Sequence, residues 1–321
     1  MRPIKRYPIP VHVLSVSSLK GGVGKTTVAL GLASAALNKG INTLVIDLDP
    51  QCDATSGLAA PADQTASIAE VLQSPKLPIL RRALVSSPWS RTSKMDVLVG
   101  SPRSLLLDNP APTVSDVWKL EEILAMIEDE YELVIIDTPP SINALTRTAW
   151  VASDRVILVT EPALYSVIAA DRARRAITEI SAKLSPRLSL YGFVVNRLRQ
   201  QSHEHEYRIN ELREMFGDLL LQPYFEERAV VQQSTGAARP IHSWPADGAA
   251  EVAKGFDWLL AGVMADFERE APKRDRVNIV GRTMRGQSSP LAAVMSPEAG
   301  PVVTEPETRR SRKKRRWFSR R

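Results

Sequence analysis

With 321 residues and 44% hydrophobic content, the chain is long and apolar enough to build one full α/β core with some chain to spare. Its one cysteine, Cys52, excludes an intramolecular disulfide and fits a reducing cytoplasm, and no run approaches the roughly 18 continuous apolar residues of a membrane span. The net charge of +6 is unevenly spread: residues 271–321 carry fourteen Lys and Arg against four Asp and Glu, so residues 1–270 are net acidic.

The chain begins with the basic stretch Met1-Arg2-Pro3-Ile4-Lys5-Arg6, but the apolar run that follows, 11–17, reads as a strand feeding a glycine loop. A cleaved signal would destroy that loop, which argues against one. The loop is Lys20-Gly21-Gly22-Val23-Gly24-Lys25-Thr26-Thr27, and a helical pattern over 26–38 follows it. Strand, glycine loop and helix together form a setting in which backbone N–H groups turn onto a phosphate. The positive end of the helix dipole faces the same anion. In such a loop Lys25 reaches the outer phosphates and the Thr26 hydroxyl is placed to ligate Mg²⁺. The usual P-loop pattern has Gly where this chain has Leu19, and a second lysine, Lys20, stands at the loop entrance.

Further apolar runs at 43–47, 96–99, 133–137, 156–160 and 190–196 read as buried parallel strands. Helical patterns at 117–130, 166–184, 204–216 and 248–267 alternate with most of them. This alternation predicts a doubly wound, mostly parallel sheet flanked by helices, with ligands at the carboxyl ends of the strands. Asp47 and Asp49 follow the second strand, and Asp137 ends the run Leu133-Val134-Ile135-Ile136. Carboxylates at strand ends also cap turns, but four apolar residues before Asp137 argue against a casual surface position. His203 and His205 have no cysteine beside them and read as a solvated helix start rather than a metal site. Beyond residue 270 the periodic pattern stops. This predicts a domain over 1–270, a flexible linker over 271–308 and a basic tail over 309–321 that holds Arg312, Lys313, Lys314, Arg315 and Arg316 ahead of Trp317-Phe318.

The double-lysine loop, the box Val45-Ile46-Asp47-Leu48-Asp49-Pro50-Gln51 with Ala54-Thr55-Ser56-Gly57-Leu58 after it, and the strand Leu133 to Asp137 with Thr138-Pro139-Pro140-Ser141 resemble the ParA/Soj family of deviant Walker A ATPases, relatives of MinD. The resemblance runs from about residue 11 to about residue 267. It implies a P-loop NTPase fold, ATP hydrolysis and ATP with Mg²⁺ as cofactors. The nucleotide would be held by Lys20, Gly21, Gly22, Val23, Gly24, Lys25, Thr26 and Thr27, with Asn196 and Pro223 near the base. Thr26, Asp47 and Asp137 would serve the metal. Asp49 would position the attacking water beside Lys25, and Lys20 would reach across an ATP-dependent homodimer to the partner's nucleotide. The chain departs from the family at Cys52-Asp53, where Gly-Asn is usual. It also departs in the segment from Pro223 to Arg228, which is about one residue longer than the Soj pattern. Nothing nearby in sequence activates Cys52 as a redox sensor, so a small packed side chain is the simpler reading.

The resemblance further implies a cytoplasmic, nucleoid-associated protein that binds nonspecific DNA and answers to a ParB-like activating protein in chromosome or plasmid segregation or cargo positioning. Arg197, Arg199, Arg228 and Arg239 lie in segments where relatives place DNA-binding residues. The basic tail offers a second route to DNA phosphates. Its Trp317-Phe318 pair keeps open a weak anionic membrane contact and a MinD-like membrane-cycling ATPase in cell division or polarity, and a merely solubilising tail is the third alternative. Fewer than a dozen residues precede the first strand, which leaves no room for an N-terminal helix-turn-helix. The lack of paired cysteines disfavours a metabolic ATPase or cluster-carrier relative.

Overall fold

A computed structural model describes residues 11–61, 64–91 and 93–269. The linker over 271–308 and the tail with Arg312, Lys313, Lys314, Arg315 and Arg316 lie outside the described residues. The strands are β1 (His12–Ser17), β2 (Thr43–Asp47), β3 (Leu84–Ser86), β4 (Met95–Leu98), β5 (Leu133–Asp137), β6 (Arg155–Thr160), β7 (Ser189–Val195) and β8 (Leu220–Leu221). The helices are α1 (Lys25–Asn38), α2 (Asp53–Gly57), α3 (Ile68–Gln73), α4 (Leu77–Ala83), α5 (Val114–Ala125), α6 (Ala144–Ala152), α7 (Leu164–Lys183), α8 (His203–Phe216), α9 (Ala229–Gly236) and α10 (Ala249–Arg269).

Among the described residues the strands form one eight-stranded sheet in the order β3-β4-β2-β5-β1-β6-β7-β8. All neighbours run parallel except β3 against β4. Successive side chains on each strand point to opposite faces, so both faces need cover. Leu14, Val16, Val45, Leu133, Ile135, Ile157, Val159 and Val194 face α1, α9 and α10. Val13, Leu44, Ile46, Val134 and Ile136 face α3 to α6. Val156, Leu158, Phe193 and Val195 pack with Trp118, Trp150, α7 and α8. This is the doubly wound arrangement that the apolar runs predict.

The boundaries shift where local chemistry overrides the apolar pattern. The helix expected over 117–130 starts earlier, at Val114, because Thr113 and Asp116 form a capping box. The Thr113 hydroxyl accepts from Asp116 N at 3.2 Å and the Asp116 carboxylate accepts from Thr113 N at 3.1 Å. That helix ends at Ala125, and Glu128–Glu130 form a separate 3₁₀ turn. The expected strand over 96–99 sits one residue earlier, and α10 runs to Arg269 rather than ending at 267.

The helix that leaves the glycine loop is pinned from outside by α10. A Cβ at Gly31 would stand 2.3 Å from the Phe256 ring, which is itself buried and stacked on Phe225 at 4.4 Å between centroids. Gly31→Ala is therefore expected to cost about 1–3 kcal/mol by overpacking, despite the better helix propensity of alanine. The urea midpoint should fall with an unchanged slope. An unchanged midpoint would mean that α10 yields to admit the methyl group.

Candidate active site

The glycine loop leaves β1 and turns through Gly22 and Gly24, whose φ values are +80° and +89°. At Gly24 a side chain is excluded twice over. The backbone is left-handed, and a Cβ would lie 2.0 Å from Asn196 Nδ2. Gly24 also precedes α1 with no side chain capping the helix, so the first N–H groups of α1 face the loop without a side-chain acceptor.

Parallel pairing of β2 with β5 and of β5 with β1 brings the ends of these three strands together. Asp47 and Asp137 are register partners, which sets two carboxylates side by side. The Lys25 ammonium is buried between Asp49 Oδ2 and Asp137 Oδ1, at 3.1 Å from each. Burial disfavours its charge, but Asp137 and then Asp49 more than offset this, so its pKa is raised and it stays protonated. The Thr26 hydroxyl donates to Asp137 Oδ2 at 2.7 Å. For Asp137, burial raises the pKa more than Lys25 and Thr26 lower it. Asp49 Oδ1 accepts from Gln51 N at 3.1 Å, which fixes its turn.

Asp47 is fully buried and its two oxygens differ. Oδ2 accepts from Thr55 N and Thr55 Oγ1, both at 2.7 Å, while Oδ1 has no partner. Thr55 Oγ1 in turn accepts from Gly100 N at 2.8 Å. Burial, and then the charge of Asp137, push the Asp47 carboxyl up to about 7. Three carboxylates around one ammonium leave the site short of positive charge, and the orphaned Asp47 oxygen marks where it is short. The described residues contain no cluster of three or more His, Cys, Asp or Glu side chains arranged to hold a metal ion directly. Mg²⁺ needs no such cage, since it takes one or two protein oxygens and completes its shell with water and phosphate. Thr26, Asp47 and Asp137 fit that demand.

The remaining expected residues fall in three places. Asn196, at the end of β7, donates from Nδ2 to Val23 O at 2.8 Å and so ties the loop to the far half of the sheet. Thr27 lies on the first turn of α1, where it faces Asn196 across the open side of Gly24. Pro223 lines a groove of about 300 Å³ with Phe225, Val252, Gly255 and Trp258, between the chain after β8 and α10. Lys20 is part-exposed and its ammonium is bound to Glu161, a residue that sequence reading passed over although it directly follows the run 156–160. Thr55 was also visible, inside the second box, without a signal for its double bond to Asp47.

Three of the four expected arginines are already engaged. Arg199 pairs with Glu227 at 2.6 Å, Arg228 bridges Glu226 at 2.9 Å and Glu251 at 2.7 Å, and Arg239 sits over the Trp244 ring at 5.6 Å. Arg197 is exposed with a left-handed φ of 57°. Cys52 is left-handed too, at φ 59°, which accounts physically for a family preference for glycine there. Its thiol is pushed up to about 11 by burial and then by Asp47, Asp49 and Asp53, so it is not a thiolate at neutral pH.

The Asp47 environment sets a pH dependence. Between pH 3.8 and about 7 the folded protein keeps a proton that the unfolded chain has lost. Ligand-free stability therefore falls as pH rises through that window and levels off above it. Asp47→Asn cannot ionise, so its advantage should grow from pH 4 to pH 7 and reach about 1–3 kcal/mol at pH 8. Thermal unfolding of both proteins at pH 5 and pH 8 checks this; a pH-independent difference would contradict it.

Comparison with known proteins agrees with the geometry. A family model described as an AAA domain matches residues 11–190. The chromosome-partitioning ATPase Soj of Thermus thermophilus is 31% identical over 208 residues, covering 65% of this chain and 78% of Soj. The chromosome partitioning protein ParA of Caulobacter vibrioides is 26% identical over 235 residues, covering 72% and 86%. Among solved structures, the ATP complex of a Cyanothece McdA variant superposes with a TM-score of 0.69 at 19% identity over 79% of this chain and 96% of McdA, a likeness of fold. The double-lysine glycine loop, the three strand-end aspartates and these matches place the chain in the ParA/Soj family of P-loop ATPases, within the ParA/MinD superfamily.

Proposed function

We propose that this ATPase is a dimerisation switch of the ParA type, acting in chromosome or plasmid segregation or in cargo positioning through nonspecific DNA binding. The observation that carries the reading is Lys25 held between Asp49 and Asp137, with the second lysine, Lys20, at the loop entrance. ATP is the substrate, and Lys25 exchanges its two carboxylates for the outer phosphates. Thr26, Asp47 and Asp137 would hold Mg²⁺. Mg²⁺, when bound, neutralises charge on the outer phosphates. Asp49, released from Lys25, accepts a hydrogen bond from the attacking water. Gly21, Gly22, Val23, Gly24 and Thr27 present backbone and hydroxyl donors to the inner phosphates, and Asn196 and Pro223 border the base. Lys20 of each protomer serves the nucleotide of the other, so hydrolysis releases the dimer.

The DNA contact is assigned to the dimer surface bearing Arg197, Arg199, Arg228 and Arg239, with the tail residues Arg312 to Arg316 as a second contact. Three of these arginines already have partners, so DNA phosphates must compete with Glu226, Glu227 and Glu251, and binding should weaken steeply with salt. The protein is placed in the cytoplasm on the nucleoid, with a ParB-like protein as its activator.

The test is binding of nonspecific duplex DNA with ATP or ADP, for the full chain, for a chain ending at Glu270 and for Asp49→Ala. Asp49→Ala should hydrolyse ATP at least about 100-fold more slowly and stay on DNA with ATP. ATP-dependent binding by the shortened chain supports the domain surface, and binding lost with the tail moves the contact there. No DNA binding by any of the three would sink the segregation reading, and flotation with anionic liposomes would then test the membrane-cycling alternative.

A further inference from the structure

The Lys20 ammonium sits on Glu161 of its own chain, and both residues stand on rigid supports. Lys20 N donates to Ser18 Oγ at 3.1 Å, and Ser18 Oγ donates to Lys20 O at 3.0 Å, so the backbone at the loop entrance is fixed. Glu161 directly follows β6, the strand that pairs with β1, and its carbonyl accepts from Ala163 N at 2.8 Å. The contact spans 141 positions of sequence but only two adjacent strand ends, and only side-chain rotation is needed to break it. Lys20 and Glu161 keep 37% and 21% of their side-chain surfaces exposed, so water screens the pair and it opens easily.

We propose that Glu161 is the positioning residue for Lys20: it holds the ammonium on its own protomer and thereby sets the protein concentration at which a second copy of the chain can take it. The proposal rests on the reading of Lys20 as a residue acting across a dimer. While Lys20 is bound to Glu161 it cannot also neutralise a partner's nucleotide, so each dimer formed must open two such pairs. Arg199, whose guanidinium is favoured in its charged form by Glu227 first, also feels the charge of Glu161 to a smaller extent.

The experiment uses the full chain with Mg²⁺ and a non-hydrolysable ATP analogue. Light scattering gives the dimer dissociation constant, and nucleotide binding at protein concentrations too low for dimers gives monomer affinity. Wild type, Lys20→Ala, Glu161→Gln and the double variant are compared. Glu161→Gln is expected to dimerise about 3–10-fold more tightly, the few-fold gain per opened pair taken twice, with monomer nucleotide affinity unchanged. The gain should vanish in the Lys20→Ala background, a result that a merely structural role for Glu161 would not produce. The protein concentration at half-maximal ATP turnover should fall by the same factor. If wild type stays monomeric, or Lys20→Ala dimerises as wild type does, the cross-dimer reading fails. If wild type dimerises and Lys20→Ala does so more weakly, yet Glu161→Gln dimerises no better than wild type, the proposal alone fails. It also fails if Glu161→Gln tightens only monomer nucleotide binding, since Lys20 would then serve its own protomer.

Discussion

Everything in this active site follows from carboxylates buried in one corner with too little positive charge among them. Asp47, Asp49 and Asp137 are delivered by the ends of β2 and β5, next to the β1 loop, and Lys25 answers only part of their charge. Parallel topology makes the crowding unavoidable, because neighbouring strands that run the same way end on the same side. The protein tolerates the arrangement in three ways: Thr55 bonds Asp47 twice, Thr26 bonds Asp137, and Asp47 holds its proton up to about neutral pH. The Thr55 bonds occupy one Asp47 oxygen and leave the other, Oδ1, without a partner.

Much of this was legible in the sequence, for identifiable reasons. The strands β1, β2, β5, β6 and β7 are continuous apolar runs because both faces of a parallel sheet are buried, and their ends carry the boxes. The glycine loop could be read because its chemistry leaves few alternatives. By contrast β3 and β8, with three and two residues, are too short to show a period. Helix α6 escaped because nearly its whole circumference is buried: Leu145, Ala149 and Ala152 face one cluster while Trp150 and Val151 face another, and no polar face contrasts with them. The bond between Lys20 and Glu161 and the left-handed backbone at Cys52 depend on how distant segments meet and how a turn closes, which no local pattern encodes.

The surface charges tell a related story. The domain is net acidic, and two of the arginines proposed to meet DNA are paired with glutamates, Arg199 with Glu227 and Arg228 with Glu226 and Glu251. An arginine so placed is oriented without being neutralised for good, because an exposed ion pair contributes at most about 1 kcal/mol and a polyanion competes with it readily. The same logic governs Lys20. In both places a cation is held on a weak carboxylate rather than left in water, so its direction is set by that ion pair.

The sheet itself constrains how copies of this protein can meet. One edge is β3, three residues long and the one antiparallel strand of the described sheet, and the other is β8, two residues long and followed by a bridge between Leu198 and Glu226. Edges this short offer almost no unpaired backbone for a neighbouring chain to extend. Growth of the sheet from molecule to molecule through these edges is thereby discouraged. A switch of the proposed kind would gain from this, because contacts made through loops and a nucleotide can be undone, whereas a continuous intermolecular sheet would persist after the nucleotide had gone.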